Sequence, residues 1–321
     1  MSELHKFLFD GLPVRGMLVR LTGAWAEILR RRAANTATGA YAVPVRELLG
    51  EMTAAGVLMQ GSIQFDGALV MQIFGDGPVK VAVAEVQPDL SLRATATLVG
   101  GVPEAAALGD LINAHGRGRC AMTLDPRDKL PGRQAYQSMV PLVDADGRRL
   151  QNFGAMVEHY LRQSEQLDTR IVLAADDHVA AGLLVQRMPL EGQANLGGGS
   201  EEADEHFNRI ATLAASLTRE ELLTLDADTI LRRLFWEEKL VRFEPRAGIH
   251  GPHFACTCSR ERVAAMIRGL GREEADSIVA ERGDIEVGCE FCGAQYRFDA
   301  VDAQQIFTGA AERPPGTQAV Q

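Results

Sequence analysis

Two cysteine motifs decide how the C-terminal part of this chain folds: Cys256-Thr257-Cys258 and, thirty residues later, Cys289-Glu290-Phe291-Cys292-Gly293. A Cys-x-x-Cys-Gly turn presents two sulfurs to one metal ion. In an extended strand, residues i and i+2 point to the same side, so Cys256 and Cys258 can share that ion. The spacing therefore predicts one Zn²⁺ per chain, with Cys256, Cys258, Cys289 and Cys292 as its ligands.

The spacer between the two motifs has room for two helices that bring them together. Ser259 is a suitable N-cap for a helix over residues 260–270, and a second helix is predicted over residues 272–282. His250 and His253 lie near enough along the chain to replace a thiol as ligand. Four cysteines already complete a tetrahedral shell, however, which disfavours histidine ligation.

Other interpretations of the four thiols stay open at this point. The zinc site can be purely structural, and four cysteines also bind iron–sulfur clusters. A Cys-x-x-Cys motif beside a βαβ unit would indicate a thioredoxin-type dithiol, but no such unit is predicted around Cys289 and Cys292.

The fifth cysteine, Cys120, stands far from the other four. Arg117 and Arg119 precede it and could lower the pKa of its thiol, which would make it reactive. A lone cysteine is more commonly a small buried side chain, and we favour that interpretation.

Composition and charge limit the classes of function that the chain can have. It has 321 residues, of which 46% are hydrophobic, enough for a sizeable core and more than one domain. The formal net charge is −10, and residues 256–300 carry nine acidic and six basic side chains, which argues against binding to phosphate backbones. Neither a secretory signal nor a membrane span is recognisable. We therefore expect a cytoplasmic protein without nucleic-acid or membrane partners.

Residues 1–188 are predicted to form one α+β core domain, because strand-like runs occur as neighbours, with helical runs between the groups. The segment Phe65-Asp66-Gly67-Ala68 is typical of a hairpin turn. The predicted strands cover residues 14–21, 69–74, 79–86, 90–98, 171–175 and 179–188, and the predicted helices run from Pro44 toward Gln60 and within residues 150–167.

Residues 189–245 are predicted to be a linker, flexible around Gly197-Gly198-Gly199 and helical after it. Thr218 and Glu221 form a capping box. A zinc-binding domain over residues 246–308 and a disordered tail over residues 309–321 complete the predicted organisation. The linker helices carry apolar stripes, formed by Phe207, Ile210, Leu213, Ala214 and Leu217 and then by Ile230, Leu231, Leu234, Phe235 and Trp236.

Several of these segments resemble the redox-regulated chaperones of the 33 kDa heat-shock protein family. The similar segments are Cys256-Thr-Cys-Ser-Arg-Glu-Arg262, Cys289-x-x-Cys292-Gly293, Glu220-Glu-Leu-Leu-Thr-Leu225, Ser277-Ile-Val-Ala-Glu281 and Tyr160 to Arg170. The four-cysteine order is the most specific of them. The resemblance extends over most of the chain and is weakest in the N-terminal third.

This resemblance implies a chaperone that is not an enzyme and holds unfolding client proteins without ATP. It implies a zinc-bound, inactive reduced form. Oxidation would pair Cys256 with Cys258 and Cys289 with Cys292 as disulfides, release the zinc and unfold the C-terminal module. The linker would then be destabilised, and a homodimer would bind clients through the core domain.

A module as small as the predicted zinc-binding domain should depend on its metal. Zinc binding contributes roughly 10–16 kcal/mol in comparable peptides, which rivals the total stability of about 5–15 kcal/mol typical of a whole domain. Loss of zinc should therefore unfold the module and remove support from the linker stripes. We expect exposure of apolar surface that can bind clients, including Phe207, Ile210, Leu217, Leu231, Phe235 and Trp236.

Two functions from other classes compete with the chaperone. A thiol–disulfide oxidoreductase would use Cys289 and Cys292, but bound zinc would occupy both thiols. A zinc-ribbon nucleic-acid-binding protein is disfavoured by the acidic charge of the module.

Overall fold

The computed structural model of the chain describes residues 1–35, 39–128, 134–144, 146–188 and 200–308, without the side chains of residues 200–203. The predicted Gly-rich part of the linker and the predicted disordered tail lie outside the described residues. The chain divides into two compact units, the first ending at Ala255 and the second beginning at Cys256. Helices and largely antiparallel sheets together confirm the predicted α+β class.

Twelve strands lie in the described part of the first unit. They are β1 (Glu3–Phe9), β2 (Val14–Leu21), β3 (Gly67–Phe74), β4 (Val79–Val86), β5 (Ser91–Leu98), β6 (Arg119–Pro126), β7 (Tyr136–Pro141), β8 (Thr169–Ala175), β9 (Ala180–Arg187), β10 (Leu240–Arg242), β11 (Arg246–Ala247) and β12 (His253–Phe254).

The described helices of this unit form two groups, one before and one after residue 188. The first group is α1 (Gly23–Ala33), α2 (Val43–Ser62), α3 (Leu108–Ile112) and α4 (Phe153–Ser164), and the second is α5 (Ser200–Ala215), α6 (Arg219–Thr224) and α7 (Ala227–Phe235).

The strands build two sheets. The first has the order β10-β1-β2-β9-β8, with β11 also paired to β1, and all its neighbours are antiparallel. The second has the order β12-β5-β4-β3-β6-β7, and only the β12–β5 pair is parallel. The predicted strands over residues 14–21 and 79–86 match β2 and β4 to the residue.

Helix α2 lies between the two sheets and packs on strands of both. Pro44 occupies its first turn as predicted, where the missing N–H costs nothing. The helix is apolar nearly all round, as a helix buried on every side must be. Gly50 allows a close approach, because a Cβ there would collide with the methyl group of Ala175.

The three linker helices α5, α6 and α7 pack on the opposite face of the first sheet. Thr218 forms the predicted capping box with Glu221, and Asp226 caps α7 through the backbone N–H of Thr229. Together the helices and the sheet bury a second hydrophobic cluster, called here the linker core. It includes Phe7, Phe9, Val14, Leu18, Leu183 and Val185 from the sheet and Phe207, Ile210, Leu217, Leu222, Ile230, Leu231, Leu234 and Phe235 from the helices.

Two details of the sequence interpretation are wrong. Trp236 is not part of the buried stripe: it follows the last residue of α7 and is 73% exposed. Asp66-Gly67 does not turn a hairpin, because it joins helix α2 to strand β3. Gly67 is needed there for another reason, since a Cβ would collide with the backbone of Asp125 and Pro126 on the neighbouring strand.

The sequence predicts that the zinc-binding domain begins at residue 246. In the structure, however, residues 246–255 lie within the first compact unit. Arg246 and Ala247 pair with β1, whereas Phe254 pairs with Leu92 of β5. This segment therefore joins an edge of each sheet directly before Cys256. The functional boundaries of the domains remain a prediction.

The described part of the second unit contains α8 (Arg260–Leu270), α9 (Arg272–Arg282), β13 (Ile285–Gly288), β14 (Gln295–Phe298) and α10 (Ala300–Thr308). Both helices of the spacer have their predicted bounds. The hydrophobic core of this unit is small, and its buried members are Val263, Ile267, Ala275, Ile285, Phe298, Ala303 and Ile306.

A cavity of about 320 Å³ is lined by residues of α2, α4, β8 and the linker helix α5. Its lining includes Glu51 of α2, Glu158 of α4, Arg170 of β8 and Ala215 of α5. Burial raises the pKa of Glu51 from 4.5 to about 7, with Arg219 opposing this shift and Glu47 adding to it. Glu51 is thus an acid that folding keeps protonated into the neutral range.

Substitution Glu51→Gln should stabilise the first unit at neutral and alkaline pH, by on the order of 1–2 kcal/mol. In the unfolded chain Glu51 ionises near pH 4.5, whereas in the folded chain it stays protonated until about pH 7. Its contribution to stability is therefore full below pH 4.5 and is lost as the pH rises to about 7. Urea unfolding at pH 5, 7 and 8.5 measures the effect.

The matched control is Glu104→Gln, which changes an exposed carboxylate and should leave the pH dependence as it is. Equal stability of wild type and Glu51→Gln at pH 8.5 would contradict the assignment.

Candidate metal centre

The first cysteine motif is held in place by the start of helix α8. Cys256 and Cys258 directly precede Ser259, whose hydroxyl accepts a hydrogen bond from the backbone N–H of Arg262. Ser259 is the N-cap predicted from the sequence. The helix therefore begins at Arg260, two residues after Cys258, and this fixes where the motif ends.

The second motif is the turn of the β13–β14 hairpin. The backbone N–H of Cys289 donates to Ala294 (2.8 Å), and that of Gly293 donates to Cys289 (2.8 Å). Gly293 has a φ of 75°, which a glycine adopts without steric cost. This accounts for the glycine after Cys292 and confirms the tight turn expected there.

The four sulfurs converge. All lie within 4.8 Å of one another, and the distances Cys256–Cys289 and Cys258–Cys292 are 3.7 and 3.3 Å. The cysteines are free thiols, too far apart for S–S bonds of about 2.05 Å. Tetrahedral zinc with bonds of about 2.3 Å would place its sulfurs about 3.8 Å apart. The four side chains therefore fit one metal ion of this kind.

Within the described part of the chain, this is the one cluster of three or more His, Cys, Asp or Glu side chains that could hold a metal. Neither His250 nor His253 belongs to it. The ring nitrogen Nδ1 of His253 lies instead 3.0 Å from the carbonyl oxygen of Gly251. The donor set is thus purely sulfur, which is the set that structural zinc sites favour.

The surroundings of the sulfurs differ. Burial alone would raise the pKa of Cys258, but hydrogen bonds from Tyr296 and from the neighbouring cysteines bring it down to about 7. Burial raises the pKa values of Cys289 and Cys292, although backbone N–H groups of the turn partly offset this. The thiol of Cys258 therefore ionises near neutral pH, whereas those of Cys289 and Cys292 resist ionisation.

Tyr296 is the contact that sequence reasoning missed. Its phenolic O–H donates to the Cys258 sulfur at 3.1 Å, from a position on β14 opposite Val287. This contact raises the pKa of Tyr296 to about 12. The sequence offers one signal for it: Tyr296 alternates with Phe298 along a strand that leads away from the cysteine turn. Only the folded hairpin shows which sulfur the ring reaches.

Cys120 plays no part in this centre. It is fully buried on β6, and burial raises its pKa to about 12. The alternative that Arg117 and Arg119 activate this thiol is wrong, and the interpretation as a buried core side chain is confirmed.

Comparison with known proteins gives concordant results. A family model described as "Hsp33 protein" matches residues 2–299. The 33 kDa chaperonin of Chromobacterium violaceum is 42% identical over 309 residues, covering 95% of this chain and 94% of that protein. The 33 kDa chaperonin of Neisseria meningitidis serogroup A is 41% identical over 304 residues, covering 94% and 90%.

The crystal structure of the 33 kDa chaperonin from Thermotoga maritima superposes on the present chain with a TM-score of 0.71. The match covers 95% of this chain and 98% of that one at 20% identity, so it establishes similarity of fold. No helix in the described part of the chain is long and apolar enough to cross a membrane.

Substitution Cys289→Ser should reduce bound zinc from about one ion per chain to well below half, because a hydroxyl replaces one of four thiolate ligands. Metal content of purified, reduced protein measures this. Cys120→Ala is the control, since Cys120 lies in the core of the first unit and should not change metal content. A Cys289→Ser variant with full zinc content would contradict the ligand assignment.

Proposed function

This chain belongs to the Hsp33 protein family, and from that membership we propose that its four-cysteine centre is a zinc-based redox switch for a chaperone that acts without ATP. The chaperone function itself follows from the family and from relatives named 33 kDa chaperonin. As a member of a chaperone family, the protein binds unfolded clients. The observation that carries the switch is the convergence of four free thiols within 4.8 Å.

Zinc is the metal that best suits this centre. Thiolate-only donor sets at tetrahedral spacing are typical of zinc. An iron–sulfur cluster would spread its four thiolates over several iron atoms, farther apart than these sulfurs lie. When bound, Zn²⁺ keeps the sulfurs as thiolates and adds roughly 10–16 kcal/mol of binding free energy to the folded state.

The second unit is built so that loss of this binding should unfold it. Its buried core consists of seven apolar side chains, two of them alanines. A core of this size rarely supplies more than about 3–5 kcal/mol by itself. Zinc binding by the four cysteines would therefore make the largest single contribution to the stability of this unit.

Peroxides can remove the ligands. One thiolate attacks a peroxide oxygen: an S–O bond forms, the O–O bond breaks and hydroxide leaves. A second thiolate then attacks the resulting sulfenic sulfur, forming an S–S bond and releasing a second hydroxide. Two thiolates lose two electrons and one peroxide gains them. We assign the pairs Cys256–Cys258 and Cys289–Cys292, as family membership implies.

The linker core then supplies the surface that binds clients. The linker helices cover one face of the first sheet, where Phe7, Phe9 and Leu18 are buried beneath Phe235 and Ile210. Release of these helices exposes apolar area on both partners, which is the chemistry that captures unfolded chains. Trp236, already exposed, is not part of what is released.

Polar contacts also hold the linker in place. Arg20 of β2 donates to the carbonyl oxygens of Leu222 (2.6 Å) and Leu223 (3.1 Å) in α6. Arg219 of the same helix donates to the carbonyl oxygen of Ala175 (2.5 Å) and to Glu47 (2.6 Å). The linker is therefore docked by specific side chains as well as by apolar packing.

We propose a cytoplasmic protein that forms a homodimer when oxidised and that has no nucleic-acid or membrane partner. The formal net charge of −10 supports the absence of a nucleic-acid partner, because binding to a phosphate backbone needs a basic surface. We also propose that the protein is not an enzyme, because a thiol–disulfide oxidoreductase would need Cys289 and Cys292 free of metal.

Oxidation should convert the protein from inactive to active. The reduced, zinc-loaded protein should leave citrate synthase aggregation unchanged at equimolar ratio, whereas peroxide at raised temperature should release about one zinc per chain and give at least severalfold suppression. Light scattering and a zinc-sensitive dye measure both in one sample. Equal suppression by the reduced form would contradict the switch, and catalytic turnover of insulin disulfides would favour an oxidoreductase.

Substitution Arg20→Met should weaken linker docking by about 1–3 kcal/mol, because two carbonyl oxygens lose their charged donor. We expect client binding at a lower peroxide dose than in wild type, with the same zinc content when reduced. Lys80→Gln, an exposed change on β4, is the control. An Arg20→Met dose response identical to that of wild type would show that this contact does not restrain the linker.

A further inference from the structure

The hydrogen bond from Tyr296 distinguishes Cys258 from the other three cysteines. The phenolic oxygen of Tyr296 donates to the Cys258 sulfur at 3.1 Å. The ring packs against the small core of the second unit, and the pairing of Tyr296 with Val287 fixes its position on the hairpin. The donor is thus anchored in one half of the module and its acceptor belongs to the other half.

We propose that Tyr296 is a positioning residue that lowers the nucleophilicity of the Cys258 sulfur and thereby slows its reaction with peroxides. This inference rests on the proposed redox switch. It adds a residue outside the four cysteines that sets how readily one of them is oxidised.

The other hydrogen bonds to sulfur are of a different kind. Cys289 accepts from the backbone N–H groups of Phe291 and Cys292, and Cys292 accepts from that of Ala294. These donors belong to the turn and persist whatever side chains the turn carries. The donor to Cys258 is a side chain, so evolution or mutagenesis can remove it without altering the backbone.

The chemistry gives the direction of the effect. In the attack on a peroxide, a sulfur lone pair forms the S–O bond while the O–O bond breaks and hydroxide leaves. The sulfur loses negative charge as the transition state forms, so a hydrogen bond to the thiolate is stronger in the reactant than in the transition state. Tyr296 therefore stabilises the reactant more and raises the barrier for Cys258.

The test is Tyr296→Phe, which keeps the ring and removes only the O–H. Reduced, zinc-loaded protein is treated with hydrogen peroxide, quenched with an alkylating reagent, and analysed by mass spectrometry at each cysteine. We expect the oxidation rate at Cys258 to rise about three- to tenfold, in keeping with loss of one charged hydrogen bond, while the rate at Cys289 changes little. Tyr136→Phe, an exposed tyrosine on β7, is the matched control.

Two further readouts separate this role from simple loosening of the module. If Tyr296 served only to support the fold, all four cysteines would react faster together, and that result would overturn the proposal. In Co²⁺-loaded protein, removal of the O–H should shift the thiolate-to-metal absorption band to lower energy, and an unshifted band would count against the contact.

Replacement of the four tyrosines by 3-fluorotyrosine provides a test that does not depend on the stability of Tyr296→Phe. The more acidic phenol donates more strongly, so oxidation at Cys258 should become slower than in the unsubstituted protein. An unchanged or faster rate would overturn the proposal. The redox switch would survive either failure, provided that wild type still releases zinc and gains client binding on oxidation.

Discussion

The second unit depends on one constraint: four sulfurs, contributed by two motifs thirty residues apart, must meet within a few ångströms. Each surrounding element serves this convergence. Ser259 begins α8 immediately after the first pair, the helices α8 and α9 return the chain, and the β13–β14 hairpin presents the second pair at its turn. The apolar core beneath them is small, so hydrophobic burial alone gives this unit little stability.

The first unit follows a different principle, since it buries two hydrophobic clusters on opposite faces of one sheet. Strand β9 shows this in its sequence, where every residue from Ala180 to Gln186 is buried. Leu184 faces the cluster around α2, whereas Leu183 and Val185 face the linker core. Strands covered on both faces lose the alternation of polar and apolar residues and become continuous apolar runs.

The sequence was most informative where a local pattern determines structure. Cysteine spacing identified the candidate ligands, and capping residues such as Ser259 and Thr218 identified the beginnings of helices. It was less informative where tertiary neighbours decide. Strand β1 was not recognised, the role of Gly67 depends on a neighbouring strand, and Trp236 turned outward because α7 ends before it.

The contact of Tyr296 with Cys258 shows the same limit within the metal centre. The four cysteines could be found from their spacing, but the residue that donates to one sulfur depends on hairpin register and ring orientation. Likewise, the pairing of residues 246–255 with two sheets depends on long-range strand addition, which no local pattern in that segment indicates. Non-local pairing of this kind is set by the whole fold.

The two faces of the first sheet bury two separate hydrophobic clusters, and each cluster contributes its own share of the folding free energy. Leu4 and Val19 belong to the cluster around α2, whereas Leu18 belongs to the linker core. The neighbouring residues Leu18 and Val19 of β2 therefore contribute to different clusters. Among the described residues, the buried members of the two clusters do not overlap. Loss of the linker core would therefore leave the cluster around α2 covered by its own helix and by the second sheet.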